Sequence, residues 1–513
     1  MCAGLLLAGH ISAADPSNRL IIVLVLDGFR PDMIAADRTP NLYRLKNEGV
    51  WGANSHSVFP TVTRVNSSSI SSGTTPDAHG IVSNTMYVAG VAPKPFDTAD
   101  YTNLVKLAGI SGGRTLAVTT LPEVLQAAGL SFVAISSGSD GSAFLLNSMA
   151  QSGIGMLINS DFEGGRRVAW PDKADQEIRQ RFGTQKADVG PPSLLWTERV
   201  ARDYVLSEVH PRVMIDWYTE PDTTQHRTGV GSPESLAVIK GDDEQIGLLL
   251  AKLNELGLAD KTDIIVTADH GFAMEPDPVD LNGALQATGK ADDIIVASNG
   301  ASVFLYAKNH DPSVIGAVVA QLQKTDGVDL IFTTAAQPAD GKVKCSPGKE
   351  AGWAPGTFSL ELIYQCRTER AADIIVTFQW NSEQTFGFRG SQKIATADKR
   401  KGVPGRAGHG GLNPWMVQIP LIMWGPDFRK HTVIEAPTAN YDIAPTILHL
   451  EGLTPPASMS GRVIAEALAK QPRRDRKART RTVTVRTGSY CAALQVSELD
   501  KHRYLDQGQR CPQ

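Results

Sequence analysis

The stretch Arg19-Leu-Ile-Ile-Val-Leu-Val-Leu-Asp27-Gly28 decides the fold class of this chain. Its seven consecutive apolar residues, Leu20 to Leu26, are rich in β-branched side chains and show no polar alternation. Such a run suits a strand covered on both faces, as inside a parallel sheet. The Asp-Gly pair then turns the chain at the strand's carboxyl end. A second stretch, Asp263-Ile-Ile-Val-Thr-Ala-Asp269-His270-Gly271, repeats the arrangement. Strands are also expected at 131–136 and 213–216, with helices at 39–49, 63–73, 121–128, 193–209 and 232–256. In the first helix Thr39 is the expected N-cap, Pro40 the first helical residue and Gly49 the stop. Strands alternating with helices predict an α/β fold built on a mainly parallel sheet flanked by helices.

The first part of that core is read as 18–281. From 282 to 405 the pattern changes to strand, helix and strand at 301–306, 313–322 and 328–332, followed by loops rich in Pro, Gly and Lys. This region is read as an inserted cap lying over the sheet edge. The core resumes over 406–469, with a strand at 420–424 and helices at 443–450 and 461–469. The remaining 470–513 divide into a basic linker, 470–481, and a C-terminal hairpin.

A chain of 513 residues, 42% hydrophobic, has ample material for a large core. Its formal net charge of -4 gives no sign of bulk nucleic-acid binding. No apolar run beyond the first residues is long enough for a transmembrane helix. Residues 1–14 resemble the second half of a secretory signal, an apolar stretch ending in small residues before Asp15 and Pro16. Without Cys2, four cysteines remain: Cys345, Cys366, Cys491 and Cys511. Proximity suggests Cys345–Cys366 and Cys491–Cys511, although four cysteines allow three connectivities. Pairing fits a periplasmic or secreted protein.

Ligands in open α/β sheets collect at the carboxyl ends of strands, which is where Asp27, Asp269 and His270 fall. An adjacent Asp-His pair reaches one ion only from a bent backbone, and Gly271 would permit the bend. Asp222 and His226 lie four apart, a spacing that stacks side chains on a helix. The flanking Pro221 and Gly229 point instead to a loop or short turn. His409 sits among glycines, as suits a close-approach loop. Three carboxylates and three imidazoles can complete two metal sites, and mixed His/carboxylate ligation favours zinc. Thr63, at the expected start of a helix, is the candidate nucleophile; a Thr hydroxyl needs activation, which a metal provides. Thr61 could equally be the N-cap. Asn84 could donate to a phosphoryl oxygen, and His79 is read as structural.

These segments together resemble the alkaline phosphatase superfamily, most closely its nucleotide pyrophosphatase/phosphodiesterase branch. The likeness rests on Leu26-Asp-Gly-Phe-Arg-Pro-Asp, Phe59-Pro-Thr-Val-Thr63, Ser72-Gly-Thr-Thr-Pro-Asp-Ala-His-Gly-Ile-Val-Ser-Asn84, Glu220-Pro-Asp-Thr-Thr-Gln-His226, Thr267-Ala-Asp-His-Gly271 and Gly408-His-Gly410. It implies an alkaline-phosphatase-like core, two Zn²⁺ ions and a covalent phospho-threonine intermediate. Asp222, His226 and His409 would hold one zinc. Asp27, Asp269 and His270 would hold the other, which activates Thr63, itself a ligand. Asn84 matches the phosphate-contacting Asn. Nucleotide-cleaving members usually place an aromatic residue after the nucleophile, where it helps to hold a nucleobase. Here that position is Arg64, which suits a substrate with an extra anionic group. The reading is therefore hydrolysis of a small phosphodiester or pyrophosphate. Its rivals are a phosphomonoesterase or phosphonate hydrolase on the same scaffold, and a silent extracellular binding protein.

Overall fold

A computed structural model describes residues 19–162, 164–185, 190–339, 342–346, 348–366, 369–395, 406–472 and 476–512. The signal-like residues 1–14 and part of the 470–481 basic stretch lie outside them. Leu20–Leu26 is the strand its sequence predicts, every residue buried. Its side chains serve two cores by simple alternation: Ile21, Val23 and Val25 enter one, and Leu20, Ile22, Leu24 and Leu26 the other. The strand sits inside a nine-stranded sheet. It pairs in parallel with Thr262–Thr267 on one side and Val213–Tyr218 on the other. Parallel neighbours Phe132–Ser136 and Met156–Phe162 follow, and the antiparallel Arg167–Trp170 closes that edge. Beyond Thr262–Thr267 runs Leu421–Trp424, antiparallel to it, then Val50–Gly52 and Thr432–Ile434. The sheet is thus mainly parallel.

Helices cover both faces. Thr63–Ser72, Asp140–Leu146 and Ile443–Leu450 lie on the Val23 side, while Pro40–Glu48 and Pro233–Glu255 lie on the Leu24 side. Pro40–Glu48 starts and stops as predicted. Thr39, however, spends its hydroxyl on the Ala35 backbone rather than capping the helix. The helix expected over 193–209 is α-helical only across Pro191–Val200 and continues as a π-helix over Ala201–Val209. The helix expected over 461–469 is reduced to the 3₁₀ turn Ala465–Ala467. There the N–H groups of Arg462 and Ile464 donate to Asp442 Oδ1 at 2.7 Å and Thr446 Oγ1 at 3.0 Å, and the second takes a donor that the helix would use.

A second sheet of five strands orders Ile294–Asn299, Ser302–Ala307, Ile374–Phe378, Val328–Thr333 and Phe358–Ser359. Its apolar face packs with helix Pro312–Leu322 and with Phe59 and Met86 from the first half of the chain. The C-terminal segment is a three-stranded meander, not a hairpin: Arg479–Thr487, Tyr490–Leu499 and His502–Arg510. The third strand looks polar in sequence, but its Tyr504 and Leu505 are buried. Val483, Leu494 and Val496 join the second sheet's core, and Leu499 and Tyr504 the main one.

Both disulfides suggested by proximity are formed, Cys345–Cys366 and Cys491–Cys511. Each closes a loop of about twenty residues, which in the chain-entropy account stabilises the fold by about 3 kcal/mol. Replacing Cys491 and Cys511 together by Ser is predicted to lower the urea unfolding free energy by about that amount. An unchanged unfolding midpoint would contradict it.

Candidate metal-bearing active site

The carboxyl ends of the two central strands carry the first three side chains. Asp27 follows Leu20–Leu26, and Asp269 and His270 follow Thr262–Thr267. Gly28, at φ +71°, makes the turn after Asp27, and a Cβ there would stand 2.5 Å from the Phe272 ring. Its N–H donates to Asp269 Oδ1 at 3.0 Å, joining the two turns. Gly271 has no left-handed φ, so the bend after Asp269 does not need it; a Cβ there would lie 2.0 Å from the Trp415 carbonyl, and close approach is its reason.

Asp222 and His226 share one turn of a helix, Asp222–Thr228, and not the loop their neighbours suggest. Pro221 stands before its first residue and Gly229 after its last, so both sit where a helix tolerates them. His409 follows the short strand Ala407–Gly408. Gly410, at φ +103°, would place a Cβ 2.2 Å from the Asn299 carbonyl.

These residues converge. Asp222, His270 and His409 bring ligand atoms within 4.8 Å of one another, and so do Asp27, Asp269 and His270. His270 Nε2 lies 3.2 Å from Asp269 Oδ2 and 3.7 Å from Asp27 Oδ1. Asp222 Oδ1 lies 3.4 Å from His226 Nε2 and 3.5 Å from His409 Nε2. Metal–ligand bonds of about 2.1 Å at a tetrahedral centre put ligand atoms about 3.4 Å apart, so these separations fit shared ions.

The unused valences are the stronger test of fit. Asp27 Oδ1, Asp222 Oδ1 and Asp269 Oδ2 are buried without a hydrogen-bond partner, and they are the oxygens that face the histidines. The opposite oxygens are held from behind, Asp27 Oδ2 by Trp217 Nε1 at 3.1 Å and Asp269 Oδ1 by two backbone N–H groups. Each imidazole is oriented in the same way. His226, His270 and His409 direct Nδ1 at the carbonyls of Ala407, Gly271 and Thr61, at 3.0, 3.1 and 2.9 Å. With Nδ1–H donating there, every Nε2 lone pair faces the cluster, the usual outer support of a metal ligand.

Charge gives the same reading. Burial, reinforced by Asp269 and Asp222, raises the Asp27 carboxyl well above its ordinary range. Burial pushes Asp269 up to about 7, with Asp222 adding to it. Burial also works against ionising Asp222, but the neighbouring His226 leads the opposing effects and that carboxyl is held below the usual value. His270 and His409 are driven well below theirs by burial, hence neutral and able to ligate. Several buried carboxylates with free oxygens are costly unless a cation offsets them. The donor set of imidazole and carboxylate suits zinc.

Thr63 begins helix Thr63–Ser72, and its Oγ1 lies 3.3 Å from His270 Nε2. Thr61 is not the cap of that helix. Its hydroxyl donates to the Gly411 carbonyl at 2.9 Å and accepts the Gly410 N–H at 3.1 Å, stapling the His409 loop. Asn84 Oδ1 accepts the Arg64 N–H at 3.0 Å, which fixes the amide beside the nucleophile. The Arg64 guanidinium reaches Asp97 Oδ1 at 3.2 Å. Thr63, Arg64, Asn84, Asp222, His226 and His409 line one cavity of about 340 Å³. His79 stands apart, between Ser69 Oγ and the Ile81 N–H, and burial pushes its pKa down to about 3.

Residues 21–400 match the sequence model of the type I phosphodiesterase / nucleotide pyrophosphatase family. The chain belongs to that family. Among its relatives, the bis(5'-adenosyl)-triphosphatase ENPP4 of Homo sapiens is 26% identical over 282 residues, covering 53% of this chain and 52% of that protein. Ectonucleotide pyrophosphatase/phosphodiesterase family member 5 of Homo sapiens is 24% identical over 262 residues, 51% of this chain and 46% of its own length. The chain thus spans about half the length of the curated relatives it matches. The solved structure of human ENPP5 superposes with a TM-score of 0.60 at 18% identity, covering 88% of this chain and 100% of that one. An inactive murine ENPP5 in complex with AMP gives 0.59 at 17% identity, over 88% of this chain and 99% of that one. At such identities the structural likeness speaks for the fold.

Among the cavity residues that sequence reading missed are Asp97, Ser298 and Asn299. Asp97 comes from a short strand, Phe96–Asp97, and Ser298 and Asn299 from the end of the second sheet's first strand. Asn299 clamps the residue next to Asn84: its Oδ1 accepts the Thr85 N–H at 2.7 Å, and its Nδ2 donates to the Thr85 carbonyl at 3.1 Å. No local motif marks such a residue, because its partner lies 214 positions away.

Proposed function

We propose that this protein is a zinc-dependent hydrolase of phosphodiester or pyrophosphate bonds that works through a phospho-Thr63 intermediate. The observation that carries the reading is the set of unpartnered carboxylate oxygens and oriented imidazoles beside the Thr63 hydroxyl. Asp222, His226 and His409 would hold one ion; Asp27, Asp269 and His270 would hold the other, with Thr63 as a further ligand. Two bound zinc ions would lower the pKa of a coordinated hydroxyl and offset the charge on attacking and leaving oxygens. Thr63 Oγ gives up its proton to solvent water and attacks phosphorus in line. The Thr63–phosphorus bond forms as the bond to the leaving oxygen breaks, and that oxygen departs as an alcohol or phosphate. Water then attacks the same phosphorus, the bond from phosphorus to Thr63 Oγ breaks, the phosphate product leaves, and a proton from that water restores the Thr63 hydroxyl. Asn84 donates its amide to a non-bridging oxygen, and the helix N-terminus at Thr63 favours the anionic group. Arg64 stands on the substrate side.

Residues 282–405 form the cap in this reading, and the Ser298–Asn299 wall is its contribution to the cavity. The two disulfides support a secreted or periplasmic setting. With zinc supplied, bis-p-nitrophenyl phosphate is predicted to give a higher kcat/KM than p-nitrophenyl phosphate. The reverse preference would contradict the diesterase reading and favour a monoesterase on the same residues.

A further inference from the structure

The cavity beside Thr63 has a composition that restricts what it can hold. No Phe, Trp or Tyr lines it among the described residues, and Val62 is its one sizeable apolar side chain. Residues 1–18, 163, 186–189, 340–341, 347, 367–368, 396–405, 473–475 and 513 contain none of those three aromatic types. A nucleobase held in a protein groove usually lies on such a ring, a contact worth about 1–3 kcal/mol per base.

Apart from Asp222, His226 and His409, the cavity lining is mostly polar and carries both donors and acceptors. The Arg64 guanidinium donates to Asp97 Oδ1, and Arg64 Nε is buried without a partner. The Asp97 side chain is 58% exposed, so this ion pair is a rim contact worth at most about 1 kcal/mol, which a ligand can share. Ser298 lines the same cavity, and its Oγ is buried with no partner. A second anion beside Arg64 would also face Asp97, and their like charges would repel. A hydroxyl group meets no such conflict, because it accepts from Arg64 or Ser298 and donates to Asp97. The second sheet holds this wall in place through the Asn299 clamp on Thr85.

We infer that the organic group of the substrate is a small polyhydroxylated residue of the glycerol or sugar type, and not a nucleoside. The inference rests on the phosphodiesterase reading above and names the substrate class of that site. Arg64, Asp97 and Ser298 are its specificity-determining residues.

The test keeps the leaving group constant. The full chain, with zinc supplied, is assayed on p-nitrophenyl phosphodiesters of glycerol, of methanol and of thymidine through its 5'-oxygen. The glycerol ester is expected to exceed the thymidine ester in kcat/KM by about tenfold or more, since the site offers no ring for the base. Ser298→Ala and Asp97→Asn are each expected to reduce the glycerol-to-methyl ratio about fivefold, the scale of one hydrogen bond, with the change in KM. A merely structural role would lower both esters alike and leave that ratio fixed. A thymidine ester cleaved as well as the glycerol ester, or a ratio untouched by both substitutions, overturns the inference while leaving the hydrolase reading intact. Failure to cleave any of the three overturns both.

Discussion

Thr63→Ala is expected to lower turnover of a phosphodiester by at least about a thousandfold, because it removes the atom that bonds to phosphorus. The same change is expected to spare the fold and the bound metal. Thr63 Oγ1 contacts His270 Nε2, and the carboxylates and imidazoles proposed to hold the metal belong to other residues. Circular dichroism and metal content should therefore match the parent while the rate collapses. Thr61→Ala makes the informative contrast. Thr61 is fully buried and staples the His409 loop, so its loss should cost about 1–3 kcal/mol of stability and loosen metal binding. Measurable turnover should survive at saturating zinc. A Thr63→Ala enzyme that keeps parental rates would remove Thr63 from the chemistry.

Metal removal has the second large effect. Dialysis against a chelator is predicted to abolish activity, and added zinc to restore it. Asp222→Ala and His409→Ala should each reduce bound zinc, because Asp222 Oδ1 lies between His226 and His409. Binding should also raise the unfolding temperature, since the protein otherwise buries carboxylate oxygens that nothing satisfies. Activity retained at full rate after exhaustive chelation would contradict the assignment.

The parts of the fold legible in the sequence were those with a local cause. The Leu20–Leu26 strand announces itself through an apolar run that both faces bury. Pro40–Glu48 and Pro233–Glu255 carry their own start signals, a Pro early in the helix. Asp27, Asp269, His270 and His409 were legible because strand ends and glycine turns mark them in sequence, and Asp222 and His226 through their spacing of four. What stayed hidden depends on distant partners. Val50–Gly52 is a short strand fixed by a neighbour far along the chain, Leu421–Trp424. The missing helix at 461–469 has the N–H of Ile464 drawn to Thr446, 18 residues away. Asp222–Thr228 formed a helix against the warning of its Pro and Gly, because those residues lie outside its two ends. Asn299 and Ser298 belong to the site only through the docking of the second sheet.

The central claim, a Thr63 ester formed beside two metal ions, has one direct measurement. The zinc-loaded protein is mixed with bis-p-nitrophenyl phosphate, quenched in acid within the first turnovers, digested, and its peptides mapped by mass spectrometry. The account predicts a phosphorylated peptide whose modified residue is Thr63, absent in Thr63→Ala. Phosphate found on Thr61 or another residue, or rapid turnover with no modified peptide at any quench time, would contradict it.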